Sequence, residues 1–256
     1  MKEFICITCT EPTQEIYKQT YGNFIKLHEC VSCGKVVDPY VECEKSIVLM
    51  DLVMNKIAVY RHILFNADNF SAQFYMKLAV ALVLSEGYIR WISLTETKAF
   101  IGGIKNNEYY LYILCILAAV ELGVFGFIIK IYSLLKRSDR LRSSIYHATL
   151  LGQSGRLANI AAIVWETSTN IAFTFLLATF ILISSVQSIR AALHIGHLES
   201  SFIVVVALVC SVFTSHSLQF ILLGNRLLGT NTVFPEFYNI KHTNLFEESF
   251  LLNWFY

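Results

Sequence analysis

Charge is scarce in this chain: 15% of its 256 residues are charged and the formal net charge is +1. No basic tract interleaved with aromatics occurs, so nucleic acid is set aside as a partner. Hydrophobic residues make up 55% and mean hydropathy is +0.54, which excludes an ordinary soluble domain and points to a membrane protein. The first residues, MKEFICITCTEPTQE, lack the apolar run of a cleavable signal, so the first hydrophobic span is expected to direct insertion. The chain ends in LLNWFY, with no lipidation or retrieval signal. Glycine and proline are absent from Val41 to Glu86, where the pattern turns helical. Catalytic signatures are missing too. There is no GxSxG turn and no HExxH helix, Gly152-Gln153-Ser154-Gly155 has the wrong spacing for a nucleophile elbow, and the protein is expected not to be an enzyme.

What the chain does have begins with cysteine. Four of its seven cysteines, Cys6, Cys9, Cys30 and Cys33, form a CxxC…CxxC frame. Two such pairs can close a tetrahedron of thiolates around one Zn²⁺, and Gly34 suits the tight turn after the second pair. Disulfides are the competing reading and need an oxidising compartment. Four thiolates would leave zinc no open position for water, so the expected ion is structural. Residues 1–40 are read as a small zinc-ribbon-like head, too small for its own core, in which metal binding supplies folding free energy. A second, weaker metal candidate is His194, His197 and Glu199.

Residues 41–71 are expected to form a linking, interfacial helix. On a 100° wheel Glu44, Asp51, Asn55, Ala58, His62 and Asn66 share one narrow stripe on an otherwise apolar segment. Such a stripe lies at the interface or packs against other protein; Asp51, Asn55, His62 and Asn66 are therefore candidates for contact with lipid or a partner.

The fold class expected for the whole is an all-α polytopic membrane protein of about four transmembrane helices carrying the small head. Spans are placed near 72–94, 109–134, 160–186 and 201–223 within a bundle at 72–223, followed by a tail at 224–256 that rests on the membrane surface. Span one is the weakest, with Lys77, Glu86 and Arg90; Glu86 and Arg90 are four apart and can pair. Span two has Glu121 near its middle. A carboxylate there is disfavoured by around 3 kcal/mol, so Glu121 should face the bundle interior, protonated, paired with a base such as Arg90 or His216, or touching a lipid headgroup. Span three begins with Trp165 and Glu166, a further contact candidate, and a polar cluster, so its apolar core starts near Ile171. Residues 140–162 read as an amphipathic cytosolic loop, with basic residues toward anionic headgroups and Leu141, Ile145, Leu150 and Leu157 dipping into the interface, or as a charged loop that only fixes topology.

Lysine and arginine set the orientation. The head carries Lys2, Lys18, Lys26, Lys35, Lys45, Lys56 and Arg61, and the loop after span two carries Lys136, Arg137, Arg140, Arg142 and Arg156. The first intervening loop has only Lys98 and Lys105. The head, the middle loop and the tail are then cytosolic, a reducing compartment where thiolates bind metal.

The cysteine frame, Val37-Asp38-Pro39-Tyr40-Val41-Glu42 and Tyr60-Arg61-His62-Ile63-Leu64-Phe65-Asn66 together resemble the Arv family of endoplasmic-reticulum lipid-homeostasis proteins. Glu86-Gly87-Tyr88-Ile89-Arg90-Trp91 and Trp165-Glu166 are similar to the family as well. The resemblance implies an endoplasmic-reticulum membrane protein needed for sterol distribution, sphingolipid balance and glycosylphosphatidylinositol (GPI) synthesis. Its implied partners are membrane lipids (sterol, sphingolipid, GPI precursor) and the enzymes of GPI biosynthesis or sterol modification. Two roles follow: a mediator of lipid movement, or a non-catalytic scaffold of a membrane enzyme complex making GPI precursors.

Overall fold

The computed structural model describes residues 4–19, 25–67, 70–101, 108–136, 144–165 and 171–223. The head contains two short antiparallel hairpins, β1 (Phe4–Ile5) with β2 (Pro12–Thr13) and β3 (Tyr17–Gln19) with β4 (Ile25–Leu27). Phe4 pairs with Thr13, and Tyr17 with Leu27. Its cysteine-lined core is Cys6, Cys30 and Val37, with Cys9 and Cys33 against them, and among the described residues only Ile5, Ile7 and Ile16 add buried apolar side chains beyond it. So small a core cannot hold a domain by apolar burial alone.

The linker is not one helix. α1 (Lys45–Val53) stops where Asn55 takes a left-handed φ of 55°. The Lys56 N–H donates to the Asp51 carbonyl at 3.1 Å and the Asn55 N–H to the Leu52 carbonyl at 3.0 Å, the paired bonds of a helix end in which asparagine stands where glycine is usual. α2 (Ile57–Arg61) follows and runs into a π turn, His62–Asn66, closed by the Ala67 N–H on the His62 carbonyl at 2.9 Å. A single wheel therefore does not run from Glu44 to Asn66. The break lies at an asparagine, which a search for glycine and proline passes over.

The long helices are α3 (Ala72–Ile101), α4 (Glu108–Leu135), α7 (Ile171–Leu193) and α8 (His197–Leu223). Tyr109–Leu135, Ala172–Leu193 and His197–Gln219 are long and apolar enough to cross a membrane. α3 is the longest at 30 residues but carries Lys77, Glu86, Arg90 and Lys98, and falls outside that group of three. In the span expected at 160–186, α7 runs from Ile171, where the apolar core is expected to start, and continues beyond 186 to Leu193. Glu166 and the tail at 224–256 lie outside the described residues.

Residues 144–164 are not a surface loop. They form α5 (Ser144–Gly152), a 3-10 turn (Ser154–Leu157) and α6 (Ala158–Val164). Ile145, expected to dip into the interface, is instead buried in the main core with Phe125, Ile129, Ile189, Ala192 and Val204. Gly152 explains why α5 and α7 approach so closely, since a Cβ there would lie 2.8 Å from the Ser185 Cα. Gly87 does the same between α3 and α4, where a Cβ would lie 3.0 Å from the Cys115 Cα.

Candidate metal centre and buried charge network

Two knuckles of matching geometry build the cysteine cluster. In the first, the Thr10 N–H donates to the Cys6 carbonyl at 2.8 Å and the Cys6 N–H to the Glu11 carbonyl at 2.9 Å. In the second, Gly34 donates to Cys30 at 2.9 Å and Cys30 to Lys35 at 2.8 Å. Gly34 has φ +68° and Thr10 φ 69°. The second knuckle thus has the residue that adopts this turn freely, and the first forces a β-branched residue into it.

All four cysteines are free thiols. Their sulfurs lie within 4.8 Å of one another, with Cys6 Sγ to Cys33 Sγ at 3.7 Å and Cys9 Sγ to Cys30 Sγ at 3.5 Å. A tetrahedron with metal–sulfur bonds of about 2.3 Å has edges of roughly 3.8 Å, so the four sulfurs fit one ion. Amide donors prepare them unequally. The Cys33 N–H brings the Cys30 thiol down to about 7, whereas burial pushes Cys9 up to about 12 and raises Cys6. The cluster can hold a metal ion. Among the described residues it is the one such group of histidine, cysteine and carboxylate ligands, and His194, His197 and Glu199 do not form a second. Glu199 instead binds the Tyr132 hydroxyl and Lys136.

The knuckles are latched to the π turn. The Arg61 Nη1 donates to the carbonyls of Ile7 and Thr8 at 2.8 and 3.0 Å. Asn66 pairs with the Ile5 backbone in both directions, accepting from its N–H at 3.0 Å and donating to its carbonyl at 2.9 Å. The Asn66 Nδ2 and the His62 Nδ1 both donate to Asp38 Oδ2 at 2.7 Å, while Asp38 Oδ1 caps the turn by accepting from the Tyr40 N–H at 3.0 Å. Asp38, His62 and Asn66 are all buried. Tyr60 continues the chain of contacts into the bundle, donating to Asn55 Oδ1 and accepting from Ser184 Oγ on α7, each at 2.8 Å. Asp51 accepts from the Tyr40 hydroxyl and from Lys56 Nζ, both at 2.7 Å. Lys56 first and Tyr40 second hold its carboxyl below the usual range. The four stripe residues are thus hydrogen-bonded within the protein. Asp38 and Arg61, which complete the latch, were not among the expected site residues, although both stand inside the motif blocks.

Glu86 pairs with Arg90, and Glu121 takes the second of its three alternatives, pairing with Arg90; Arg156 joins them. Arg90 donates to Glu86 Oε1 through Nε at 3.0 Å and Nη2 at 2.9 Å, to Glu121 Oε2, and through Nη1 to Ser215 Oγ on α8 at 3.1 Å. Arg156 donates to Glu121 Oε1 at 3.0 Å and to Gln153 Oε1 at 2.8 Å, with its Nη1 3.5 Å from Glu86 Oε2. Glu121 is 4% exposed. Two carboxylates and two guanidiniums cancel, and each carboxylate meets both cations. The sequence places Arg156 among the headgroup-facing loop residues, and the fold turns it toward these carboxylates. No local pattern reveals it, because its partners come from α3 and α4.

A helical membrane protein with a tetrathiolate head latched to its bundle is the class these features define. The sequence model of the Arv1-like family matches residues 5–189, and the chain belongs to that family. It is 30% identical to the Bos taurus protein named Protein ARV1 over 206 residues, covering 76% of this chain and 71% of the relative. It is 29% identical to the Homo sapiens Protein ARV1 over 216 residues (80% and 78%) and 26% identical to the Dictyostelium discoideum Protein arv1 homolog over 222 residues (78% and 89%). No solved structure matches.

Proposed function

We propose that the protein mediates the distribution of sterols and other lipids from the endoplasmic-reticulum membrane, its thiolate head holding a structural Zn²⁺ on the cytosolic side. Membership of the Arv1-like family carries a role in lipid homeostasis, and it is the observation on which this reading rests. The latch supports it physically: Arg61, His62 and Asn66 tie the head rigidly to α2, and Tyr60 ties α2 to α7. The head is then a fixed platform beside the bundle. Sterol, sphingolipid and GPI precursor are the lipids in question; Asp51, Asn55, His62, Asn66, Glu86, Arg90 and Glu121 are bonded within the protein and bear on lipid by holding head and bundle in shape, which leaves Glu166 as the direct-contact candidate.

The second reading is a non-catalytic scaffold for an endoplasmic-reticulum complex that makes GPI precursors. Large apolar side chains exposed on and beside α1, Leu49, Met50, Val53 and Met54, favour a partner or membrane surface there. Purified full-length protein in donor vesicles is expected to accelerate sterol movement to acceptor vesicles over protein-free controls. No transfer, together with stable co-purification with GPI-synthesis enzymes, rejects the first reading in favour of the second.

A further inference from the structure

Helix ends fix directions. At the C-terminal end of α4, Tyr132 and Lys136 both bond Glu199, in the first turn of α8. α7 ends at Leu193 and is joined to α8 through 194–196. The C-terminal ends of α4 and α7 therefore lie at the same end of the bundle. That end also carries the head's latch: Phe65 stacks on His194 with ring centroids 6.0 Å apart, and Ala191 packs with Val59, Tyr60 and Ile63. Two spans that finish on one side can follow each other in sequence only if the chain between them goes back across.

Within that chain, residues 144–164 lie antiparallel along α7. The Ser188 Oγ donates to the Ala148 carbonyl at 2.6 Å; Ser185 meets Gly152, and Phe180 and Ile181 meet Gly155. The α7 number falls from 188 to 180 as the other rises from 148 to 155. At about 1.5 Å per residue the stretch Ser144–Val164 covers roughly 30 Å, the hydrocarbon thickness.

We propose that Ser144–Val164 crosses the membrane as a discontinuous span, broken at the turn Ser154–Leu157, so that Trp165 faces the side opposite the thiolate head. A break is tolerated in a bilayer only where other groups satisfy the backbone. Here the Ser185 Oγ donates to the Gly152 carbonyl at 3.3 Å, the Ser154 Oγ to Leu151 at 2.7 Å, and the Ser85 Oγ from α3 to Arg156 at 3.4 Å. The charge that comes with the break, Arg156, is neutralised by Glu121 and Glu86. Beyond the break, Ile160, Val164 and Trp165 are exposed, an apolar surface ending in an interfacial tryptophan. Tyr109 and Tyr112, at the opposite end of α4 from the head, are exposed as well, as in an aromatic belt. α8 then leads away from the head, so Leu222 shares the side of Trp165. Four spans with head and tail on one side do not satisfy these directions.

The test uses full-length protein in sealed microsomes, with Cys43, Cys115 and Cys210 changed to serine and the four head cysteines kept. Lys45→Cys, Leu198→Cys and Trp165→Cys are introduced singly at exposed positions. A membrane-impermeant maleimide is applied before or after detergent, and labelling at each site is read by peptide mass spectrometry. Leu198→Cys is expected to follow Lys45→Cys, while Trp165→Cys shows the opposite pattern, labelling on the other face. Trp165→Cys labelled together with Lys45→Cys overturns the crossing. Leu198→Cys labelled together with Trp165→Cys also overturns it, by removing the common end of α4 and α7. Bound metal per chain checks folding, and Val164→Cys replaces Trp165→Cys should that variant lose its metal.

Discussion

The head and the bundle both bury polar groups, but they satisfy them differently. In the head, side chains bind backbone: Asn66 holds Ile5, Arg61 holds Ile7 and Thr8, and Asp38 caps Tyr40. In the bundle, charges bind charges: Glu86, Arg90, Glu121 and Arg156 close on one another. The head's bonds to backbone are mostly neutral, each worth about 1 kcal/mol net, and a buried group left without its partner costs about 1–3 kcal/mol. In the bundle the partners are ions, and one missing charge leaves the rest uncompensated at a larger cost. The two regions should therefore fail differently when cut.

The largest effect is expected from Glu121→Leu, which leaves Arg90 and Arg156 to share Glu86. Loss of one member of a buried ion pair costs about 3–5 kcal/mol. The thermal transition in detergent should fall strongly, and adding Arg156→Met should recover part of the loss because neutrality returns. If the double variant is as unstable as the sum of the two single ones, the four charges do not act as a unit.

Removing the metal should damage the head and spare the bundle. Cys6→Ser with Cys9→Ser, or a strong chelator, is expected to abolish metal binding and raise hydrogen exchange across 4–13 and 25–37, with the long helices still protected. Unchanged metal content in the double variant would show that the four sulfurs do not hold the ion.

A smaller effect tests the latch between the two regions. Asn66→Ala removes the paired bonds to Ile5 and the bond to Asp38, leaving buried backbone groups unpaired, and should cost about 1–3 kcal/mol. Exchange at β1 should rise while metal content stays. Loss of metal as well would mean that the latch shapes the knuckle itself.

The smallest effects belong to exposed pairs. Lys136→Ala breaks a pair that is 43% exposed on both sides and should change stability by about 0–1 kcal/mol. Asp51 adds a pH dependence: its folded carboxyl lies below the unfolded value, so its contribution is present at neutral pH and disappears as pH falls below the ordinary aspartate range. Asp51→Asn should flatten that part of the stability–pH curve.

Whatever near neighbours set can be read along the chain. A two-residue gap between cysteines and a glycine after them define a knuckle, apolar runs define α4, α7 and α8, and a four-residue step pairs Glu86 with Arg90. A carboxylate in an apolar run has to turn inward, as Glu121 does. Tertiary structure alone decided the rest. Thr10 takes the left-handed turn because the metal frame needs a second knuckle, although nothing in its own chemistry favours that turn. Asn55 ends α1 so that α2 can reach both the head and Ser184. Arg156 changes from a surface charge to a half-buried, paired one because Gly152 and Gly155 let its segment sink against α7, within reach of carboxylates more than thirty residues away in sequence. Spacing along the chain encodes geometry over one or two turns; which charge neutralises which depends on how the helices pack.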